Sequence, residues 1–219
     1  MQAIYKLFTG MSLLFFLSCH NDNTAQVTQN KETDEFIEEI ENLPESSTTA
    51  KQLFGIESGY IKFRSDVSGQ EMTREWKFDQ YGKQQYEENY MIIMGQKSGD
   101  KSIVVDGFQY VWNDDANEGT KRHFHQVVTD YDLISEKDIQ RYGIEKHGYE
   151  EILGRECLKV TIEKPAKTTI WVWKGIALKT ESIMGSYKIL MQAIEINEGA
   201  VEKSAFELPA NIAFQEENL

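Results

Sequence analysis

From residue 53 onward the chain breaks into short apolar or alternating runs, with a turn signal about every ten residues. Strand patterns fall at 55–67, 72–78, 84–94, 102–106, 108–113, 121–127, 157–163, 168–173, 177–184 and 187–197. Asp79-Gln80-Tyr81-Gly82, Lys164-Pro165-Ala166-Lys167, Lys174-Gly175 and Gly185-Ser186 supply turns between them. One helix interrupts the series. Leu133, Ile134, Ile139 and Tyr142 form its apolar side, Ser135 and Asp138 suit its first turn, and Gly143 suits its stop. Consecutive strands without βαβ alternation predict one antiparallel sheet with local connections and argue against a doubly wound fold. Phe206-Glu207-Leu208-Pro209 is expected to close the chain by packing an apolar pair on the sheet edge.

Several of these strands are apolar on both faces. In 168–173, Ile170 and Val172 share one face while Trp171 and Trp173 share the other. Met91-Ile92-Ile93-Met94, Tyr110-Val111-Trp112 and Ile189-Leu190-Met191 are continuous apolar runs, the last extended by Ala193, Ile194 and Ile196. A half-solvated strand needs one apolar face only, so something must cover each side. One helix of about twelve residues covers part of a wide sheet. The rest falls to sheet curvature, to the 36–43 segment, or to a bound apolar molecule; a filled core without a cavity is the alternative. Met91, Ile93, Trp112, Trp171 and Trp173 are the candidate walls of a hydrophobic-ligand site, with the concave face left open.

The N-terminus reads as an address. Lys6 is followed by an apolar stretch from Leu7 to Leu17, too short to span a membrane and suited to a signal peptide over residues 1–18. Phe16-Leu17-Ser18-Cys19 resembles a bacterial lipobox, in which the cysteine is diacylated and becomes the mature N-terminus; Phe16 stands where that pattern usually has Leu. The alternative is an ordinary secretory signal with an incidental cysteine. Two acyl chains give a stable anchor, so Cys19 is the expected link to the membrane. Residues 19–50 are polar and read as a tether, within which Phe36, Ile37, Ile40 and Leu43 recur at helical spacing; residues 51–219 form the single domain. His20 is not the aspartate typical of inner-membrane retention, which points to the outer membrane.

Chemistry is sparse. With 23 basic against 36 acidic residues, net −13, the surface disfavours nucleic acid. His123 and His125 share one strand face without an evident third ligand, so no metal or other cofactor is expected. The 113–119 run superficially suggests a calcium loop, but Glu118 takes the place of the turn glycine, and a polar hairpin loop fits better. With Cys19 lipidated, Cys157 has no disulfide partner and reads as inert packing. No nucleophile elbow, phosphate loop or zinc-protease helix occurs, so no catalytic residue is named and no enzyme is expected.

Two stretches, Phe54-Gly55-Ile56-Glu57-Ser58-Gly59-Tyr60-Ile61-Lys62-Phe63 and Lys77-Phe78-Asp79-Gln80-Tyr81-Gly82-Lys83, resemble a family of exported Gram-negative lipoproteins, from which Gln80 departs. Gly154-Arg155-Glu156-Cys157, Trp173-Lys174-Gly175-Ile176-Ala177-Leu178-Lys179-Thr180-Glu181 and Phe206-Glu207-Leu208-Pro209 continue the likeness. Their order is similar to the LolA/LolB-like lipoprotein-carrier group. The resemblance implies a mainly β fold with some α: a strongly curved antiparallel half-barrel with one or a few helices against an apolar concave face that holds acyl chains. It implies a lipid ligand and supplies no catalytic residues. The competing expectation is a scaffold protein with a packed, ligand-free sheet that binds other envelope proteins.

Overall fold

A computed structural model describes residues 52–217, apart from 68, 114, 125–129, 132, 133 and 186. The lipobox, the tether, the 36–43 segment and His125 lie outside the described residues. Twelve strands are present: β1 (Gly59–Val67), β2 (Gln70–Asp79), β3 (Gln84–Ile93), β4 (Gln96–Val105), β5 (Phe108–Asn113), β6 (Glu118–His123), β7 (Ile144–Ile152), β8 (Arg155–Ile162), β9 (Thr168–Trp173), β10 (Ile176–Met184), β11 (Tyr187–Glu198) and β12 (Ala213–Glu216). They form one sheet in the order β12-β6-β5-β4-β3-β2-β1-β11-β10-β9-β8-β7. Every pairing is antiparallel except that of β12 with β6. Two meanders, β1 to β6 and β7 to β11, are zipped together by β1 and β11. The sheet is curved and does not close.

Local sequence sets the turns. Four hairpins close with a two-residue X-Gly loop in which both residues have positive φ: Met94-Gly95, Asp106-Gly107, Leu153-Gly154 and Lys174-Gly175. That geometry matches the twist of the flanking strands. The helix α1 (Glu136–Tyr142) starts at Ser135, whose side chain accepts from the Asp138 N–H at 3.1 Å, and stops at Gly143 in the left-handed region. It is seven residues long, has no buried residue, and rests on β7 at the sheet's end.

Each face has its own core. On one side lie Ile61, Phe63, Trp76, Phe78, Val160, Ile170, Met191 and Ala193, all buried; this is the Phe63 face. Phe54 packs edge-on against Trp76 and Phe78, 5.2 Å from each ring centre. Gly82 makes that possible, since a Cβ there would collide with the Phe54 ring. On the opposite, Lys77 face, residues 203–206 form a 3₁₀ turn that packs on β3 and β4 and buries Phe206. Phe206 thus lies over the sheet rather than at its edge, and Leu208 is 38% exposed, so the expected apolar pair is not formed. Phe214 of β12 sits edge-on to Tyr110 and Trp112, in a slot open because residue 119 is glycine.

Candidate functional site

The Phe63 face is graded along its strands. At one end lie the β1–β2, β3–β4 and β10–β11 turns, brought side by side by the pairs Val67↔Gln70, Val67↔Ile189 and Ile93↔Gln96. This rim exposes apolar side chains: Ile93 (49%) and Tyr187 on the Phe63 side, Ile92 (63%) and Ile183 on the Lys77 side, and a fully exposed Met94 at a hairpin tip. Inward from the rim, alternation carries Met72 and Met91 to the level of Arg74 and Asn89, about 7 Å deeper. Phe63 lies level with Arg74, and beyond it the face becomes an apolar band of Ile61, Trp76 and Phe78.

Between rim and band sits a buried polar group. Arg74 Nη2 donates to Glu87 Oε2 at 2.6 Å, and both side chains are nearly excluded from solvent. The guanidinium lies 5.3 Å from the Phe63 ring centre and 5.1 Å from that of Trp76, with Nη1 3.9 Å from Met191 Sδ. Asn89 Nδ2 donates to Glu87 Oε1 at 2.8 Å and lies 3.4 Å from Asp100 Oδ2. Burial pushes the Asp100 carboxyl up to about 6; Asn89 pulls it down and the Glu87 charge pushes it up again. Arg74 was not singled out from the sequence, yet a signal exists. In Met72-Thr73-Arg74-Glu75-Trp76 it falls in phase with Met72, Trp76 and Phe78, a charge on the apolar side of an alternating strand.

The five residues nominated from the sequence are divided between the faces. Met91, half-buried, and Ile93 lie on the Phe63 face at the rim. Trp112, Trp171 and Trp173 lie on the Lys77 face, so the five do not line one cavity. Long cationic side chains cover the two β9 tryptophans. Lys179 Nζ and Lys159 Nζ stand 4.2 and 5.1 Å from the Trp171 ring centre, and Trp171 Nε1 donates to Glu150 Oε2 at 2.6 Å. Lys174 and Arg155 do the same for Trp173, at 4.9 and 5.6 Å. Their aliphatic stems bury the rings while the charged ends pair with Glu150, Glu181 and Glu198.

Trp112 instead helps floor a cleft of about 430 Å³ between the sheet and residues 204–212, with Lys77, Tyr86, Lys101 and Glu207 around it. A smaller cleft of about 310 Å³ adjoins it across Lys77 and Tyr60. Tyr60 is pushed up to about 12 by burial, reinforced by the Glu75 and Glu195 charges. His123 stacks on Phe108 at 4.6 Å, and no group of three or more His, Cys, Asp or Glu among the described residues is arranged to hold a metal ion. Cys157 is fully buried and its thiol is pushed up to about 11 by burial. The ends of the 113–119 run belong to β5 and β6, which pair antiparallel.

No protein-family model matches the chain, and no curated protein matches it. Among solved structures, an uncharacterised conserved protein from Thermus thermophilus superposes with a TM-score of 0.52 at 7% identity, over 74% of this chain and 91% of that one. MucB in the Pseudomonas aeruginosa MucA/MucB complex reaches 0.47 at 15% identity, over 70% of this chain and 56% of that chain's length. LprF from Mycobacterium bovis reaches 0.35 at 9% identity, over 67% and 88%. At such identity the Thermus likeness is one of fold alone. The chain and the Thermus protein share an open, curved, mainly antiparallel sheet.

Proposed function

We propose that this is an exported envelope protein, tethered through an acylated Cys19 at the outer membrane, that binds the acyl chain of a lipid on its Phe63 face without catalysing a reaction. The observation that carries the reading is the apolar rim. A fully exposed Met94, in a positive-φ turn position that favours Asn or Gly, flanks Ile92 and Ile93 on the same hairpin. An apolar tip kept in water against both solvation and backbone preference suits contact with lipid, and it stands where Met91 and Met72 lead inward to the Phe63 band. A tether of about thirty residues reaches roughly 100 Å, enough for the rim to touch the membrane holding the anchor. Native mass spectrometry of protein extracted from membranes tests the reading, with co-purifying lipid as the expected result. Finding no lipid, together with no fluorescence response from a lipophilic probe, refutes acyl binding. Cys19→Ala should separately abolish acyl labelling.

A further inference from the structure

We infer that Arg74 is a binding subsite for the carbonyl oxygen of an acyl ester, which makes the ligand an ester lipid rather than a free fatty acid. The inference rests on the acyl-binding reading above and narrows it to one linkage. Arg74 is 9% exposed, and its Nε–H has no hydrogen-bond acceptor among the described residues. Buried donors are almost always paired, and one left unpaired inside an apolar wall is destabilising. Neither neighbour on the guanidinium's flanks supplies an acceptor, because both are aromatic rings.

Charge decides what kind of acceptor fits. Glu87 already balances the guanidinium at 2.6 Å, and Asp100 lies beyond Asn89 on the same face. A carboxylate or phosphate brought to Nε would add a further negative charge to a buried group that is already balanced. A neutral carbonyl oxygen satisfies the donor without that penalty. Position agrees with the chemistry. Arg74 stands one side-chain step inside Met72, near the rim, level with Phe63, and Ile61, Trp76 and Phe78 lie deeper on the face. A ligand lying along this path meets Met72, then the unpaired Nε–H of Arg74, and then apolar wall. A polar head outside the rim, an ester at Arg74 and a hydrocarbon tail on the aromatic band match that sequence.

The test compares three sixteen-carbon probes at pH 7.5, each displacing a lipophilic fluorophore from the full processed protein. They are 1-monopalmitoylglycerol, 1-O-hexadecylglycerol, which replaces the ester by an ether, and palmitate. The ester should bind at least about tenfold more tightly than the ether or the acid, as one buried hydrogen bond to a charged donor implies. Arg74→Lys, which keeps a cation for Glu87 but removes Nε–H, should abolish the ester preference and leave ether affinity unchanged. Glu87→Gln, which leaves the guanidinium unbalanced, should move the preference towards palmitate. Equal affinity for ester and ether, or tighter binding of palmitate by the unmodified protein, overturns the inference while leaving acyl binding intact. Failure of all three probes to bind overturns both. If neither variant folds, the ester-to-ether ratio of the unmodified protein decides alone.

Discussion

Replacing Met94 by Asn should stabilise the fold and weaken its hold on membranes, and the two effects come from the same geometry. Met94 has φ 51° and is followed by Gly95 at φ 80°, so both central residues of this hairpin are left-handed. An L-residue with a long side chain is disfavoured there by about 1–2 kcal/mol, whereas Asn tolerates the conformation. Because Met94 is fully exposed, its removal sacrifices no burial that would offset the gain. The expected change is about 1 kcal/mol of added stability, or roughly 2–4 °C in Tm for a domain of this size. Urea unfolding followed by tryptophan fluorescence measures it, with the m-value unchanged. The Asp106-Gly107 turn provides an internal control: Asp106 has φ 52° in the same position, so Asp106→Met should destabilise by a similar amount. In vesicle flotation, Met94→Asn should bind more weakly, by up to about tenfold, as a side chain of this size taken from water to lipid implies. A variant no more stable than the parent refutes the reasoning, because Met94 must then make contacts that compensate its backbone conformation. Unchanged vesicle binding refutes the rim's role separately.

Three further outcomes are expected. Asp100 is held at about 6 by burial, above its ordinary value near 3.8, so the folded state keeps the proton that the unfolded chain loses between those values. Stability should therefore fall as pH rises from about 4 to 6; Asp100→Asn should add roughly 1–2 kcal/mol at pH 7.5 and almost nothing near pH 3.5 in urea titrations. Cys157, buried and pushed up to about 11, should resist iodoacetamide at pH 8 in the folded protein and react fully in denaturant, read as a mass shift. Lys179→Ala should uncover Trp171, raising acrylamide quenching of tryptophan emission and lowering stability by about 0.5–1 kcal/mol.

Periodicity makes most of the sheet legible in the sequence. The boundaries 108–113 and 168–173 coincide with the observed β5 and β9, and the Ser135 and Gly143 caps bracket α1 as their chemistry requires. The parts that escaped are those without an apolar face. β7 is exposed along nearly its whole length, an end strand whose Glu145, Lys146, Glu150 and Glu151 give no alternation. The first half of β4, Gln96 to Lys101, is polar because it belongs to the projecting β3–β4 hairpin. β12 is four residues long and depends for its place on Phe214 and the missing side chain at Gly119. Apolar counting correctly required a cover for Trp171 and Trp173, but it treats lysine as polar along its whole length. It therefore had no means of naming Lys159, Lys174 and Lys179 as that cover.

The stacked cations distinguish the two faces. On the Lys77 face each stacked cation ends at the surface beside a carboxylate, so the tryptophans beneath are sealed without asking anything of a second molecule. On the Phe63 face the stacked cation is Arg74, enclosed between two rings, with its charge met by Glu87 and its Nε left without an acceptor. Stacking geometry is similar in the two cases; burial is what differs. An exposed lysine completes its hydrogen bonds with water, whereas a buried guanidinium must find five acceptor directions inside the fold. Apolar area alone does not distinguish a core from a binding wall, since both bury comparable side chains. An unmet donor does. By that criterion Trp171 and Trp173 are covered within the fold, and the acyl site proposed above falls at Arg74, Met72 and Met91.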